Sequence, residues 1–296
     1  MNIVDCAIVG AGPAGLACAL QAYRQGLSIA LFEKAKPGGQ ALAANRIENY
    51  PGFPDGITGL ELMDRFLSQV KSCGAEIRDE EVKNVKRSEC GFVITTDQGY
   101  TNTRALVVAS GLVPKRLGVP GEHELEGHHI FYYANAHEIA HEKKDVLIIG
   151  TGDAAFDQAL SFSRRAKNVT IAMKYNEARC AQPLLRDVQK ANIEILPSRN
   201  VASIVRKSDQ LIVEFKNDES VRTDLVIACI GKNTCFDFMD SEILEAKPAA
   251  VFFAGDCHRN KDRHISIAIG DGISAAMAVE EFLKEQNSKL QIPNSK

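Results

Sequence analysis

No stretch of this 296-residue chain stays apolar for the roughly 18 residues that a membrane-spanning helix needs, so no membrane span is expected. An excess of basic charge is also missing. Lys and Arg number 35 against 38 Asp and Glu, a formal net charge of −3, which offers no large cationic field to nucleic acid. The opening residues, MNIVDCAIVG, lead straight into a strand without a basic region, apolar core and cleavage site, so no signal peptide is expected. Eight cysteines are present, at 6, 18, 73, 90, 180, 229, 235 and 257, yet no two are spaced C-x-x-C. Their neighbours suggest strands and helices, and a chain of this length needs no disulfide framework. The expectation is a reducing, cytoplasmic setting with mostly buried, inert thiols and no metal site.

What is present is ordinary globular composition, 45% hydrophobic and 25% charged, in a chain long enough for two cores. Residues 5–34 read DCAIVGAGPAGLACALQAYRQGLSIALFEK. A short apolar strand runs into Gly10-x-Gly12-x-x-Gly15, a helical pattern follows to Arg24, and a second strand ends at Glu33. Gly10 permits a tight turn, Gly12 lets backbone approach a pyrophosphate, and Gly15 lets helix and strand pack closely. The helix N-terminus offers free N–H groups and partial positive charge to phosphates, and Glu33 can accept hydrogen bonds from an adenosine ribose.

The pattern returns at 143–180, KKDVLIIGTGDAAFDQALSFSRRAKNVTIAMKYNEARC. Gly150-x-Gly152-x-x-Ala155, with Asp153 and Ala154 inside it, opens the second helix. The strand after that helix ends at Met173 without an acid. Lys174 and Arg179 could hold a 2′-phosphate, favouring NADP, or could be solvated surface charges. A third segment, residues 249–283, begins AAVFFAGDCHRNKDRHISIAIGDG. Gly255-Asp256 follows an apolar strand, where the carboxylate can meet ribityl hydroxyls of a flavin. Gly270 and Gly272 are expected to open the final helix, with its N-terminus facing the flavin ring.

On GAGPAG (10–15), PGGQ (37–40), IENYPGFP (47–54), VVASGLVPKRLGVPGE (107–122), GTGDAA (150–155) and FFAGD (252–256), the chain resembles the thioredoxin reductase family of flavoproteins over nearly its whole length. The resemblance implies an α/β fold of two Rossmann-like dinucleotide-binding domains, the second inserted into the first. Residues 1–115 and 247–296 would bind FAD, and 116–246 would form the pyridine-nucleotide domain. Gly10, Gly12, Ala14, Gly15, Glu33, Lys34, Gly39, Gln40, Asn49, Gly111, Gly255, Asp256 and Ile265 match positions around FAD, with Arg263 and His264 where the family usually has an Arg-Gln pair. A homodimer is implied as well.

The departures matter as much. Tyr133 and Ala136 stand where the family carries C-x-x-C, and His137 stands where its acid–base Asp would be. The basic H-R-R-x-x-x-R clamp is reduced to Lys174 and Arg179. Tyr133 could stack on the flavin ring or fill the space of a lost disulfide. His137 could move protons or be a plain surface histidine. Cys257 and Cys235 could replace the dithiol or simply pack. His258, Arg259, Lys261, Arg263 and His264 could dock an acidic carrier or be solvated charge.

GTGDAAFDQAL also resembles thioredoxin-reductase-like ferredoxin–NADP reductases. The leading expectation is therefore an FAD enzyme passing electrons between NADPH or NADH and an acceptor such as ferredoxin, flavodoxin or a small molecule. A thioredoxin-like disulfide oxidoreductase with relocated cysteines, or one fed by ferredoxin, is the alternative. A flavin-binding regulatory protein with little turnover is the third.

Overall fold

The computed structural model describes residues 3–133, 136 and 138–290. The first unit starts with strand β1 (Ile3–Val9), helix α1 (Pro13–Arg24) and β2 (Ile29–Glu33). Helix α2 (Gly59–Ser72) follows, then β3 (Ile77–Asp79), β4 (Val82–Ser88), β5 (Gly91–Thr96) and β6 (Tyr100–Val108). Local chemistry sets the helix starts. Pro13 occupies the first turn of α1, where its missing N–H costs nothing. At α2 the Thr58 hydroxyl accepts from Glu61 N at 3.2 Å while the Glu61 carboxylate accepts from Thr58 N at 3.3 Å, a reciprocal cap.

Short strand β7 (Val113–Pro114) leads out of this unit. The second unit holds α3 (Glu122–Leu125), β8 (Ile130–Tyr132), β9 (Asp145–Gly150), α4 (Asp153–Ser163) and β10 (Asn168–Ala172). It continues through α5 (Gln182–Lys190), β11 (Glu194–Leu196), β12 (Val201–Lys207), β13 (Gln210–Phe215), β14 (Ser220–Thr223) and β15 (Leu225–Cys229). Strand β16 (Lys232–Asn233) pairs antiparallel with β7, so the two connections lie side by side. The chain then forms α6 (Ser241–Ala246), β17 (Val251–Phe253) and α7 (Ile265–Leu290).

Both units share one design. In the first, β3, β2, β1, β6 and β17 are neighbours in that order and run parallel, and β4 and β5 extend β6 as an antiparallel meander. In the second, β11, β10, β9, β15 and β8 are parallel, with β12 to β14 as a separate antiparallel sheet. Strands β1, β9 and β15 and the second half of β6 (105–108) are near-continuous apolar runs because helices cover them. Fully buried Phe32, Phe92, Phe156 and Phe162 anchor the cores, each side chain contributing about 1.5–3 kcal/mol.

Two expectations need correction. The resemblance implies a return to the first unit at 247, but Phe236, Phe238, Met239 and Ile243 already pack with Val9, Phe32 and Phe92 of the first unit. Apolar side chains arriving just after the crossing strand close that core. Gly270 and Gly272 do not open the final helix, which starts at Ile265. Gly272 lies where α7 presses on α1: a Cβ there would stand 2.1 Å from the Ala14 carbonyl oxygen.

Candidate active site

The first cavity lies over the carboxyl ends of the parallel strands. Gly10 turns the chain with φ +100°, its N–H donating to Phe32 O at 2.8 Å. A Cβ on Gly15 would stand 1.8 Å from the Gly10 carbonyl oxygen, so only glycine lets α1 sit this close to the turn. Gly12 caps α1 with no side chain, leaving its first N–H groups for a ligand. The resulting cavity of about 570 Å³ runs from Glu33 at the end of β2 to Gly255 and Asp256 after β17. Gly12, Ala14, Gly39, Gln40, Ser110, Gly111, His264 and Ile265 line it between and around these ends.

The residues here fit FAD. Glu33 accepts from Ala11 N at 2.8 Å and Ala35 N at 3.0 Å, which leaves carboxylate lone pairs for ribose hydroxyls. Gln40 Oε1 and Ser110 Oγ are buried on this cavity with no partner among the described residues, although Gln40 donates through Nε2 to Leu112 O. Buried polar atoms in that condition call for a ligand or water. Burial also pushes the Asp256 carboxyl above its usual range, opposed by the charges of Lys232 and Arg263.

Other residues expected around FAD stand elsewhere. Gly15 supports the turn from behind. Lys34 is not among the cavity residues and pairs with Glu81 at 3.6 Å, an outward direction that water favours for an ammonium. Arg263 donates through Nε and one Nη to the Arg259 carbonyl, at 2.9 and 2.7 Å. Asn49 lines an adjoining cleft and lies 3.2 Å from His264 Nδ1. The basic cluster after Asp256 is partly neutralised from within: Arg259 holds Asp271 with two hydrogen bonds, at 2.7 and 2.5 Å. That guanidinium keeps the Asp271 carboxyl below its usual range.

The two units meet at Tyr133. This residue has φ +48°, and its hydroxyl accepts from Gly231 N at 2.8 Å. Burial pushes the hydroxyl up to about 12. Lys232 Nζ lies 4.1 Å from the ring centroid, so a cation covers one aromatic face and only the other is open to stacking. Ala136 is buried in the second unit's core, which leaves no side chain of useful chemistry at the second sulfur position. His137 lies outside the described residues. Tyr133 and Lys232 line both the first cavity and the cleft of about 420 Å³ beside it. Across that cleft Gln158 donates to Ala43 O at 3.0 Å, and Asp157 accepts from Asn45 N at 2.9 Å.

A second cavity of about 700 Å³ covers the second glycine turn, and Tyr133 lines it too. Gly150, Gly152, Asp153, Ala154, Lys174 and Arg179 all border it. Asp153 accepts from Ala181 N at 2.7 Å. The Arg179 guanidinium lies 3.8 Å from the Tyr175 ring centroid, and Lys174 Nζ 5.9 Å from it. Aromatic stacking orders a cationic patch where an NAD site would place an acid.

None of the eight cysteines is paired. Cys257 is buried on the first core and donates to Val108 O at 3.2 Å, with burial raising it to about 11. Cys235 lies 3.5 Å from an Asp237 oxygen. Neither lines the first cavity or the cleft. Cys229 borders the second cavity but is buried, with its thiol pushed up to about 12.

Several cavity residues escaped the sequence reading: Ser110, Lys36, Lys115, Arg199 and Lys232. Ser110 had a legible signal, since it follows a strand that pairs with β1, and ligands gather over the carboxyl ends of such strands. Lys232 had none, because its position depends on how the crossing strand folds back.

Two glycine-turn cradles in parallel-sheet units, with cavities meeting at one aromatic residue, define a redox protein of the two-dinucleotide class. The family model for pyridine nucleotide-disulphide oxidoreductases matches residues 4–280. The thioredoxin reductase of Bacillus subtilis (strain 168) is 30% identical, with 98% of each chain covered. The crystal structure of the thioredoxin reductase of T. acidophilum aligns with a TM-score of 0.84 at 28% identity, covering 96% of this chain and 99% of that one. That of Lactococcus lactis shares the fold, with a TM-score of 0.86 at 24% identity, covering 95% and 99%. The chain belongs to the pyridine nucleotide-disulphide oxidoreductase family and is an FAD-dependent oxidoreductase of thioredoxin reductase type.

Proposed function

We propose that this protein passes electrons from NADPH, held at Gly150, Gly152, Lys174 and Arg179, through FAD to an external acceptor without an internal dithiol. The observation that carries this reading is the junction: Tyr133 borders both nucleotide cavities, and no cysteine borders the first. FAD, when bound, supplies a carrier able to take electrons from a nicotinamide and pass them on. Gly10, Gly12 and the start of α1 would hold its phosphates, Glu33 its adenosine ribose, and Asp256 its ribityl chain. Gln40 and Ser110 would offer partners to its remaining polar atoms. Tyr133 and Lys232 close the cavity on the side of the second unit and limit water there.

A small molecule entering the cleft beside Tyr133 is one class of acceptor. Ferredoxin, flavodoxin and thioredoxin-like proteins are the protein candidates, the last supported by the relatives' names. Eight unpaired cysteines suit a cytoplasmic site, and no helix among the described residues is long and apolar enough to cross a membrane. Exposed Ile273 and Met277 on α7 suit burial in a homodimer. The test is anaerobic mixing of the FAD-loaded protein with NADPH or NADH. Loss of the flavin's visible absorption is expected, faster with NADPH. Bleaching by dithionite alone would sink the reading.

A further inference from the structure

The rim of the first cavity near the second unit carries a cation that the glycine motifs do not explain. Lys232 stands on β16, the short strand that pairs with β7 where the chain crosses between units. Its ammonium is held over one aromatic face. The Tyr133 ring lies 4.1 Å below Nζ, and that ring is itself fixed by the hydrogen bond from Gly231 N to its hydroxyl. Among the described residues no carboxylate lies within 4.0 Å of Nζ. The acid whose charge acts on it most is Asp256. Burial lowers the ammonium's pKa, the direction expected for a cation taken from water without a carboxylate in contact.

Position tells which part of a ligand it meets. The cavity spans the sheet from Glu33 at the end of β2, past the start of α1, to Asp256 after β17. Glu33 and α1 would take the adenosine and phosphates, which would leave the ring the side of Asp256, Tyr133 and Lys232. A ring that takes up electrons gains negative charge, and an ammonium with no carboxylate in contact beside it favours that state. We propose that Lys232 is the cation that sets the reduction potential of the bound FAD, raising it relative to a neutral residue at the same place. The inference rests on the FAD-dependent reading above. Tyr133 is then a positioning residue, its electron-rich face steering the ammonium.

The potential of the FAD-loaded protein, equilibrated anaerobically against redox dyes, tests this in wild type, Lys232→Met, Lys232→Gln and Lys232→Arg. Both neutral variants should lower the ratio of reduced to oxidised cofactor at a fixed ambient potential by about tenfold or more, about 30 mV for a two-electron couple. Lys232→Arg keeps the charge and should stay within about threefold of wild type on that scale. Neutral variants at the wild-type potential would overturn the proposal. So would failure of both to take up FAD, because Lys232 would then be a support of the cradle. A wild-type protein that binds no FAD would instead sink the proposed function itself, so the two failures are separable.

Discussion

Two glycines two residues apart in α7 should respond to alanine with opposite signs. At Gly272 a Cβ would stand 2.1 Å from the Ala14 carbonyl oxygen, 2.9 Å from its carbon and 3.0 Å from Cys18 N. All three are backbone atoms of α1, so no rotamer change relieves the clash and one helix must shift. Overpacking of this kind costs about 1–3 kcal/mol, and the rigid neighbours argue for about 3. Alanine recovers about 1 kcal/mol of helix propensity, leaving a net loss of about 2 kcal/mol. At Gly270 a Cβ meets nothing within 4 Å, so only the gain of about 1 kcal/mol applies. For a chain of this size 1 kcal/mol moves the unfolding midpoint by about 2 °C. Thermal unfolding of the FAD-loaded protein should show Gly272→Ala down by about 4 °C and Gly270→Ala up by about 2 °C. Because α1 carries the phosphate cradle at its start, Gly272→Ala should also weaken FAD binding. Shifts of the same sign would refute the argument that α7 is in close contact with α1 at Gly272.

Glu33→Ala removes the acceptor of two backbone N–H groups and of the ribose, and FAD affinity measured by equilibrium dialysis should fall at least about tenfold, 1.4 kcal/mol. Lys174→Ala with Arg179→Ala should raise KM for NADPH about 10- to 100-fold and leave KM for NADH nearly unchanged, which steady-state kinetics would show. Tyr133→Phe strands the Gly231 N–H and should cost about 1–3 kcal/mol in denaturant unfolding, whereas Tyr133→Ala should change the flavin's absorption spectrum while FAD stays bound. Asp271, held low by Arg259, contributes stability that is complete above about pH 3.9 and is lost as pH falls through its lower folded value. Asp271→Asn should therefore flatten the acid limb of a stability–pH profile.

The fold was legible because its chemistry is local. A strand, a glycine turn and a helix lie within 30 residues of one another in both units, and Gly10 and Gly150 mark them directly. The phosphate and ribose end of the first cavity came with them. What depends on distant packing was less readable. Gly272 looked like a helix start until α1 was seen against it, since close approach and turn formation both select glycine. The segment after Asn233 read as belonging to the inserted unit, yet Phe236 and Met239 close the first core. Arg263 and Lys34 matched positions around FAD but take nearer partners, Arg259 O and Glu81. Lys232 emerged only where β16 folds back against β7 and meets Tyr133.

The central claim is that electrons leave the flavin directly, and counting electrons tests it. Anaerobic titration of the FAD-loaded protein with NADPH should stop once the flavin is reduced, with the eight thiols unchanged in number before and after. Uptake of further electrons after the flavin is bleached, matched by newly titratable thiols, would contradict the account and restore an internal disulfide to the mechanism.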